Sequence, residues 1–117
     1  MSQPYDSNRY RATILRHVDA DTTHARVSLG FDVCVDVTLR WAMIDAPERY
    51  TDAGKAATAA VNGWLPVGAT CEIETIKGTK EKFGRYLASF YLHGDPESLN
   101  DRLVRLGLAV PYDGGPR

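Results

Sequence analysis

The sequence predicts an α+β domain in which five short strands form a closed barrel and two helices pack outside it. Five segments alternate between apolar and polar residues, which is the period of a β-strand. Two other segments repeat apolar residues every three to four positions, which is the period of a helix packed on a core. With 117 residues, 44% of them apolar and 25% charged, the chain has the size and composition of one globular domain.

The first three strands are expected in the N-terminal part of the chain, where β-branched residues follow an alternating pattern. The third strand has the clearest alternation, which is unbroken as far as Arg40. The expected bounds are 10–18, 22–29 and 33–44. A flat strand would place Arg40 and Asp45 on opposite faces, so we expect a bulge or kink between Trp41 and Ile44.

One helix is expected after the third strand and another near the C-terminus. Thr51 or Asp52 can cap the first helix, and Pro66 cannot continue it. Its apolar residues recur at helical spacing: Ala53, Ala56, Ala57, Ala60, Val61, Trp64 and Leu65. Ser98, followed three residues later by Asp101, is a capping pattern for the second helix. The residues of the second helix that we expect to be buried are Leu99, Leu103 and Leu106.

Two further strands, expected over 70–77 and 86–92, complete the order of three strands, a helix, two strands and a helix. This order is the layout of an OB-type barrel, a fold that binds oligonucleotides on its open face in other proteins. We expect the domain to span residues 10–112, between a flexible arm at 1–9 and a flexible tail at 113–117.

The formal net charge of −1 does not by itself point to a nucleic-acid partner. Between Lys77 and Arg85, however, four basic residues stand against one acid, so this loop can bind an anion or can simply be solvated surface. No apolar run approaches the roughly 18 to 20 residues that span a bilayer, and no leader pattern opens the chain. We therefore expect a cytoplasmic protein without a membrane partner, with secretion by another route left open.

The cysteines, histidines and tryptophans carry no recognisable site. Cys34 and Cys71 are too few and too far apart for a zinc motif or a disulfide framework, so free thiols are expected and a single bridge is the alternative. The histidines lack the spacing of metal ligands and are expected to be structural or solvent-facing: His17, His24 and His93. Trp41 and Trp64 lie on apolar stripes and are expected in the core.

Four acidic residues form two clusters, each at the end of an expected strand: Asp19, Asp21, Asp45 and Glu48. Hard divalent cations prefer such oxygen ligands, and strand ends hold them on a rigid scaffold. Arg40 precedes the second cluster, and a cation that faces a guanidinium suits phosphodiester chemistry, because the transition state gathers negative charge. The alternative is that these acids are ordinary turn residues.

Four short motifs occur in an order that resembles the staphylococcal nuclease family, also called the thermonuclease family. Each motif is weak alone, but together they extend over residues 10–112, nearly the whole chain. The motifs are Asp19-Ala20-Asp21-Thr22, Arg40 with Asp45-Ala46-Pro47-Glu48, Lys82-Phe83-Gly84-Arg85, and Asn100 with Leu103-Val104 and Gly107-Leu108-Ala109.

The resemblance implies a Ca²⁺-dependent nuclease, an endonuclease or exonuclease that hydrolyses single- or double-stranded DNA and RNA with few demands on sequence. It implies that Ca²⁺ binds the carboxylates of Asp21 and Asp45 and the backbone carbonyl of Ala46, with Asp19 beside these ligands. Glu48 would be the general base that takes a proton from the attacking water.

The resemblance also assigns residues to the substrate. Arg40 and Arg85 would grip the phosphate and stabilise the transition state, since a guanidinium matches two phosphate oxygens. Further substrate contacts are expected at Lys80, Lys82, Phe83 and Tyr112. Tyr112 could stack on a base or could instead cap the core.

The chain departs from the family pattern at three positions: Ala20 replaces the usual Gly, Ala46 the usual Thr, and Phe83 the usual Tyr. The missing hydroxyl at Phe83 is expected to weaken substrate binding more than the chemical step. The sequence also ends before the third helix of the best-known relatives. We expect either a trimmed fold or a partner, such as a second copy of the chain, that covers the face left open.

Two other functions remain open from the sequence. One is a catalytically silent OB-type module that binds nucleic acid or protein, and the other is a small structural adaptor. Silent members of the family lose the acids or the arginines. The enzyme is favoured because the chain keeps all five of these residues: Asp21, Arg40, Asp45, Glu48 and Arg85.

Overall fold

The α+β class is confirmed by the computed structural model, which describes residues 8–80, with the backbone alone at 76–80, and residues 85–112. Within these residues five strands close into a barrel and two helices pack against it. The elements are β1 Arg9–Asp19, β2 Thr22–Gly30, β3 Val33–Trp41, β4 Ile44–Asp45, α1 Asp52–Trp64, β5 Thr70–Lys80, β6 Tyr86–Tyr91, α2 Leu99–Arg105 and β7 Val110–Pro111.

The barrel closes in the order β1, β2, β3, β6, β5 and back to β1. Neighbouring strands are antiparallel except β3 and β6, which run parallel from Leu39 beside Tyr86 to Trp41 beside Ala88. A parallel pair needs a long crossover connection, and α1 together with β5 provides it. This is the OB-type arrangement that the order of elements predicts.

The third strand ends at Trp41, earlier than expected, and a short turn separates it from β4. Met43 in this turn has a φ of 64°, in the left-handed region that residues other than glycine rarely adopt. The expected kink between Trp41 and Ile44 is therefore confirmed. β4 pairs with β7, with Ile44 beside Pro111, a short strand that the sequence did not predict.

The core fills the barrel and the space beneath the helices. Trp41 stacks on Phe90 with the ring centroids 4.2 Å apart, and both side chains are fully buried. Trp64, which was expected in the core, is only half-buried, and the guanidinium carbon of Arg102 lies 5.3 Å from its ring centroid. The expectation that Leu106 is buried is wrong, because this residue stands at the C-cap of α2 and is 50% exposed.

His17 connects α1 to the barrel through two hydrogen bonds. Its Nε2 lies 2.7 Å from the carbonyl oxygen of Leu65, the C-cap of α1, and its Nδ1 lies 2.8 Å from the hydroxyl oxygen of Thr23. A carbonyl can only accept, so Nε2 carries the proton and Nδ1 accepts from Thr23, whose oxygen accepts from the Trp41 indole N–H at 2.9 Å. Burial lowers the pKa of His17, which favours this neutral form.

The cysteines are both free thiols, with Cys34 exposed and Cys71 buried. Burial raises the pKa of Cys71 to about 12, so its thiol stays protonated and unreactive. Neither of the two described helices has the length and apolar character needed to cross a membrane.

Candidate functional site

The two acidic clusters meet at one end of the barrel, where the turn between β1 and β2 lies next to the loop that follows β4. They line one open cavity of about 400 Å³ together with both predicted arginines. The predicted site residues that line this cavity are Asp19, Asp21, Arg40, Asp45, Ala46, Glu48 and Arg85. Side chains from distant parts of the chain therefore share one surface.

Asp21 connects the two clusters. Its side chain is 12% exposed, and its Oδ2 accepts a hydrogen bond of 2.9 Å from the backbone N–H of Ala46. Asp19 lies beside it, since the Asp19 Oδ1 accepts from the backbone N–H of Asp21 at 3.1 Å. Burial, followed by the neighbouring Asp19 carboxyl, raises the pKa of Asp21 to about 6, although the Ala46 N–H and the Arg40 charge oppose the shift.

Arg40 is buried between the carboxylates of both clusters. One terminal nitrogen, Nη1, lies 3.5 Å from Oδ2 of Asp21, and the other, Nη2, lies 3.6 Å from Oδ1 of Asp45. The same nitrogens donate to the backbone carbonyls of Trp41 at 2.8 Å and Ile44 at 2.9 Å. These hydrogen bonds hold the plane of the guanidinium, because the turn after β3 brings the Ile44 carbonyl back toward Arg40.

Arg85 approaches the cavity from the start of β6. Its Nη1 donates to the hydroxyl oxygen of Thr22 at 3.3 Å, and Thr22 in turn donates to the carboxylate of Asp21 at 3.4 Å. Thr22 thus links the second arginine to the acidic cluster. Thr22 belongs to the first of the four sequence motifs but had no predicted role, although a hydroxyl directly after Asp21 is a signal for such a link.

The expected metal ligands adjoin one another. The carboxylates of Asp21 and Asp45 both flank the Arg40 guanidinium, and Asp21 accepts from the N–H of Ala46, whose carbonyl is the third expected ligand. Two carboxylates and a carbonyl leave room for water ligands, a set of oxygens that Ca²⁺ accepts. A cation would also offset the cost of burying the charged form of Asp21. In the described part of the chain, no group of three or more His, Cys, Asp or Glu side chains is arranged to hold a metal ion.

Glu48 lies in the loop that connects β4 to α1, and it is exposed and lines the cavity. Its backbone carbonyl accepts from both the N–H and the hydroxyl of Thr51, at 3.0 Å and 2.7 Å. Thr51 is the N-cap of α1, and its hydroxyl oxygen accepts from the N–H of Gly54 at 3.0 Å. The start of the helix therefore fixes the backbone that carries Glu48.

The structure describes the side chain of only one of the four predicted substrate contacts, Tyr112. Lys82 and Phe83 lie outside the described residues, as does the side chain of Lys80. Tyr112 is half-buried, its backbone N–H donates to the carbonyl of Met43 at 2.9 Å, and it is not among the residues that line the cavity. Substrate binding by these residues stays a prediction.

Arg49 and Tyr50 line the cavity and were missed by sequence analysis. The guanidinium carbon of Arg49 lies 5.0 Å from the ring centroid of Tyr50, and its Nη2 donates to the Tyr50 hydroxyl at 3.1 Å. An arginine and a tyrosine directly after Glu48 are a local signal that could have been noticed. The pair presents a flat, charged surface beside the carboxylates.

The chain matches no model of a known protein family, and a search of curated proteins finds no relative. The geometry of this cavity is therefore the basis for assigning a function.

Proposed function

We propose that the protein is a Ca²⁺-dependent phosphodiesterase that hydrolyses DNA and RNA with little dependence on sequence. The observation that carries this proposal is the meeting of oppositely charged groups in one cavity of about 400 Å³. The carboxylates that the proposal uses are those of Asp21, Asp45 and Glu48, and the guanidinium groups are those of Arg40 and Arg85. Phosphodiester hydrolysis needs both kinds of group, because a water must be deprotonated while negative charge grows on the phosphate oxygens.

The ion would be held by the carboxylates of Asp21 and Asp45 and by the carbonyl of Ala46, with water completing the coordination. When bound, Ca²⁺ supplies positive charge at the phosphate and favours ionisation of a water ligand. Asp19 orients Asp21 through the backbone hydrogen bond of 3.1 Å rather than by binding the ion. This set of ligands predicts weak binding that favours Ca²⁺ over Mg²⁺, since Mg²⁺ demands a more regular octahedron.

The remaining charged residues act on the substrate. Arg40 and Arg85 bind the phosphate from two elements, β3 and the start of β6, and neutralise the charge that develops on its oxygens. Glu48 accepts a proton from the attacking water, the water oxygen bonds to phosphorus, and the bond from phosphorus to the leaving oxygen breaks. Exposure of Glu48 leaves its carboxylate accessible to this water.

Cleavage of a labelled single-stranded oligonucleotide tests the proposal. We expect products with Ca²⁺, none after chelation, and none from Asp45→Asn. Asp36→Asn is the matched control, because it makes the same change on an exposed side chain of β3 that pairs with Arg26. Intact substrate with the folded wild-type protein and saturating Ca²⁺ would contradict the proposal.

A silent OB-type module that binds nucleic acid is the second candidate, and the position of Arg40 favours it. The Arg40 guanidinium lies 3.5 Å from the Asp21 carboxylate and 3.6 Å from the Asp45 carboxylate, so it can compensate both charges without an ion. Such a module would bind the oligonucleotide equally well with Ca²⁺ and with chelator, and it would leave the oligonucleotide intact.

A further inference from the structure

A second groove, of about 550 Å³, adjoins the cavity that holds the carboxylates. The two spaces share Val18, Arg49 and Tyr50 as a common wall. The far side of the groove is formed by α1, which contributes Lys55, Thr58 and Asn62 among its lining residues. A ligand that occupies the first cavity can therefore continue into the second without leaving the protein surface.

The charges of the two spaces differ. The first cavity is lined by acids from both clusters, whereas the second groove is lined by two cations, Arg49 and Lys55, and by no carboxylate among the described residues. Positive charge without acids suits a phosphate that is not itself attacked, because no ion or general base is needed beside it. The groove is thus complementary to a polyanion that extends from the first cavity.

Tyr50 supplies a flat surface where the two spaces meet. Its side chain is 72% exposed, and one face of the ring carries the Arg49 guanidinium at 5.0 Å. The hydrogen bond of 3.1 Å from Arg49 to the Tyr50 hydroxyl restrains both side chains. Exposed aromatic rings and guanidinium planes are the surfaces on which unpaired bases stack.

The helix side of the groove offers hydrogen-bonding capacity. The hydroxyl oxygen of Thr58 is buried and has no partner among the described residues. Asn62 donates to the backbone carbonyl of Thr58 at 3.1 Å, and its side-chain amide also carries an acceptor oxygen. Asn62 is exposed and lines the groove, so its amide is the hydrogen-bonding group that a ligand reaches from this side.

We propose that this groove is a subsite for the nucleotide next to the scissile phosphodiester in a single-stranded polynucleotide. Lys55 pairs with the flanking phosphate, and the base stacks on the surface formed by Tyr50 and Arg49. The inference rests on the proposed nuclease function, since it assigns the cavity with the carboxylates to the scissile phosphate. A single strand is required because a base must leave its duplex partner to stack on a side chain.

The test measures kcat/KM for oligothymidylates of two and eight nucleotides with Ca²⁺, and binding of the labelled eight-mer by fluorescence anisotropy in the presence of chelator. The variants are Lys55→Ala, Tyr50→Ala and Tyr50→Phe. Arg11→Ala is the control, because Arg11 is an exposed cation of β1 that lines neither space. All variants are checked for folding by thermal unfolding.

We expect the preference for the eight-mer over the dimer to fall about tenfold in Tyr50→Ala and to be largely restored in Tyr50→Phe, which keeps the ring. Lys55→Ala should weaken eight-mer binding and reduce the slope of log affinity against log salt by about 0.7, the value for one phosphate contact on a single strand. Arg11→Ala should match the wild type.

The experiment distinguishes failure of the proposed subsite from failure of the proposed nuclease function. If the wild type cleaves but Lys55→Ala and Tyr50→Ala keep its length preference and binding, the subsite is overturned and the nuclease stands. If the wild type cleaves nothing yet both variants lose eight-mer binding, the groove binds nucleic acid and the nuclease is overturned. If cleavage is absent and binding is unchanged by either variant, both are overturned.

Discussion

Gly54, in the first turn of α1, lies directly against the backbone carbonyl of Glu48. A Cβ built at position 54 would stand 1.9 Å from that carbonyl oxygen and 2.9 Å from the Cα of Arg49. The obstructing atoms belong to the backbone, so no side-chain rotation can relieve the contact. The loop with Glu48 can therefore pack on the helix only because Gly54 has a hydrogen in place of a Cβ.

Gly54→Ala should displace that loop. We expect it to lower the free energy of unfolding by about 1–3 kcal/mol, the cost of overpacking, and to reduce the rate of DNA cleavage through the shift of Glu48. Gly63→Ala is the matched control in the same helix, since nothing lies within 4 Å of its added Cβ. That variant should gain about 0.5–1 kcal/mol from its higher helix propensity. Equal stabilisation of both variants in urea unfolding would contradict the close contact.

Glu48→Gln should lower the cleavage rate without lowering the stability of the fold. The side chain is exposed, so we expect the free energy of unfolding to change by less than about 0.5 kcal/mol. Loss of the general base should lower the single-turnover cleavage rate by roughly 10². A folded variant with the wild-type rate would remove Glu48 from the proposed mechanism.

Arg40→Lys and Arg85→Lys should differ in their effect on stability. An ammonium cannot reproduce the two donors that Arg40 aims at the carbonyls of Trp41 and Ile44, so one buried acceptor loses its partner at a cost of about 1–3 kcal/mol. Arg85 is half-buried, and its lysine variant should fold with less loss.

Both lysine variants should also cleave more slowly, because neither ammonium matches two phosphate oxygens. Single-turnover kinetics at saturating Ca²⁺, with thermal unfolding alongside, measure the two effects. Two folded variants with full activity would show that neither arginine stabilises the transition state.

Asp21 should make stability depend on pH. Its pKa is raised by burial to about 6 from a reference of 3.8, so between these values the folded chain binds more protons than the unfolded chain. The contribution of Asp21 to unfolding free energy therefore falls as pH rises from about 4 to about 6, by as much as about 3 kcal/mol at 1.36 kcal/mol per unit. Asp21→Asn should lack this decline in urea titrations.

Ca²⁺ should offset the loss of stability at higher pH, because it binds the charged carboxylate of Asp21. Above pH 6, Ca²⁺ should raise the unfolding midpoint of the wild type and leave that of Asp21→Asn nearly unchanged. An equal rise in both proteins would place the ion elsewhere.

The contribution of His17 to the free energy of unfolding should rise with pH, whereas that of Asp21 falls. Burial lowers its pKa below the reference of 6.5, so the unfolded chain binds the extra proton first. The stability that the neutral ring contributes is present above about pH 6.5 and is lost as pH falls toward the pKa of the folded state. His17→Gln should therefore cost more stability at pH 7.5 than at pH 5. A cost that does not change with pH would mean that His17 has the same pKa in the folded and unfolded chains.

Much of the fold could be predicted because its signals are local. The alternation that reaches Arg40 and the capping residues Thr51 and Ser98 act within a few positions, and the structure confirms the strand and both caps. The pairing of β4 with β7 was not predicted, because a strand of two residues is too short to show an alternating pattern. The exposure of Leu106 was also missed, because burial depends on what packs against a residue.

The order of residues along the chain establishes which chemical groups are present and that the acids stand at the ends of strands, because both are read from neighbouring positions. How these groups meet depends on the folded arrangement of the elements. It placed Arg40 between Asp21 and Asp45, against the Ile44 carbonyl that the left-handed turn at Met43 returns to it. It also placed Gly54 beneath Glu48. Such contacts join residues through the packing of separate elements, and distances across that packing have no counterpart in the order of residues along the chain.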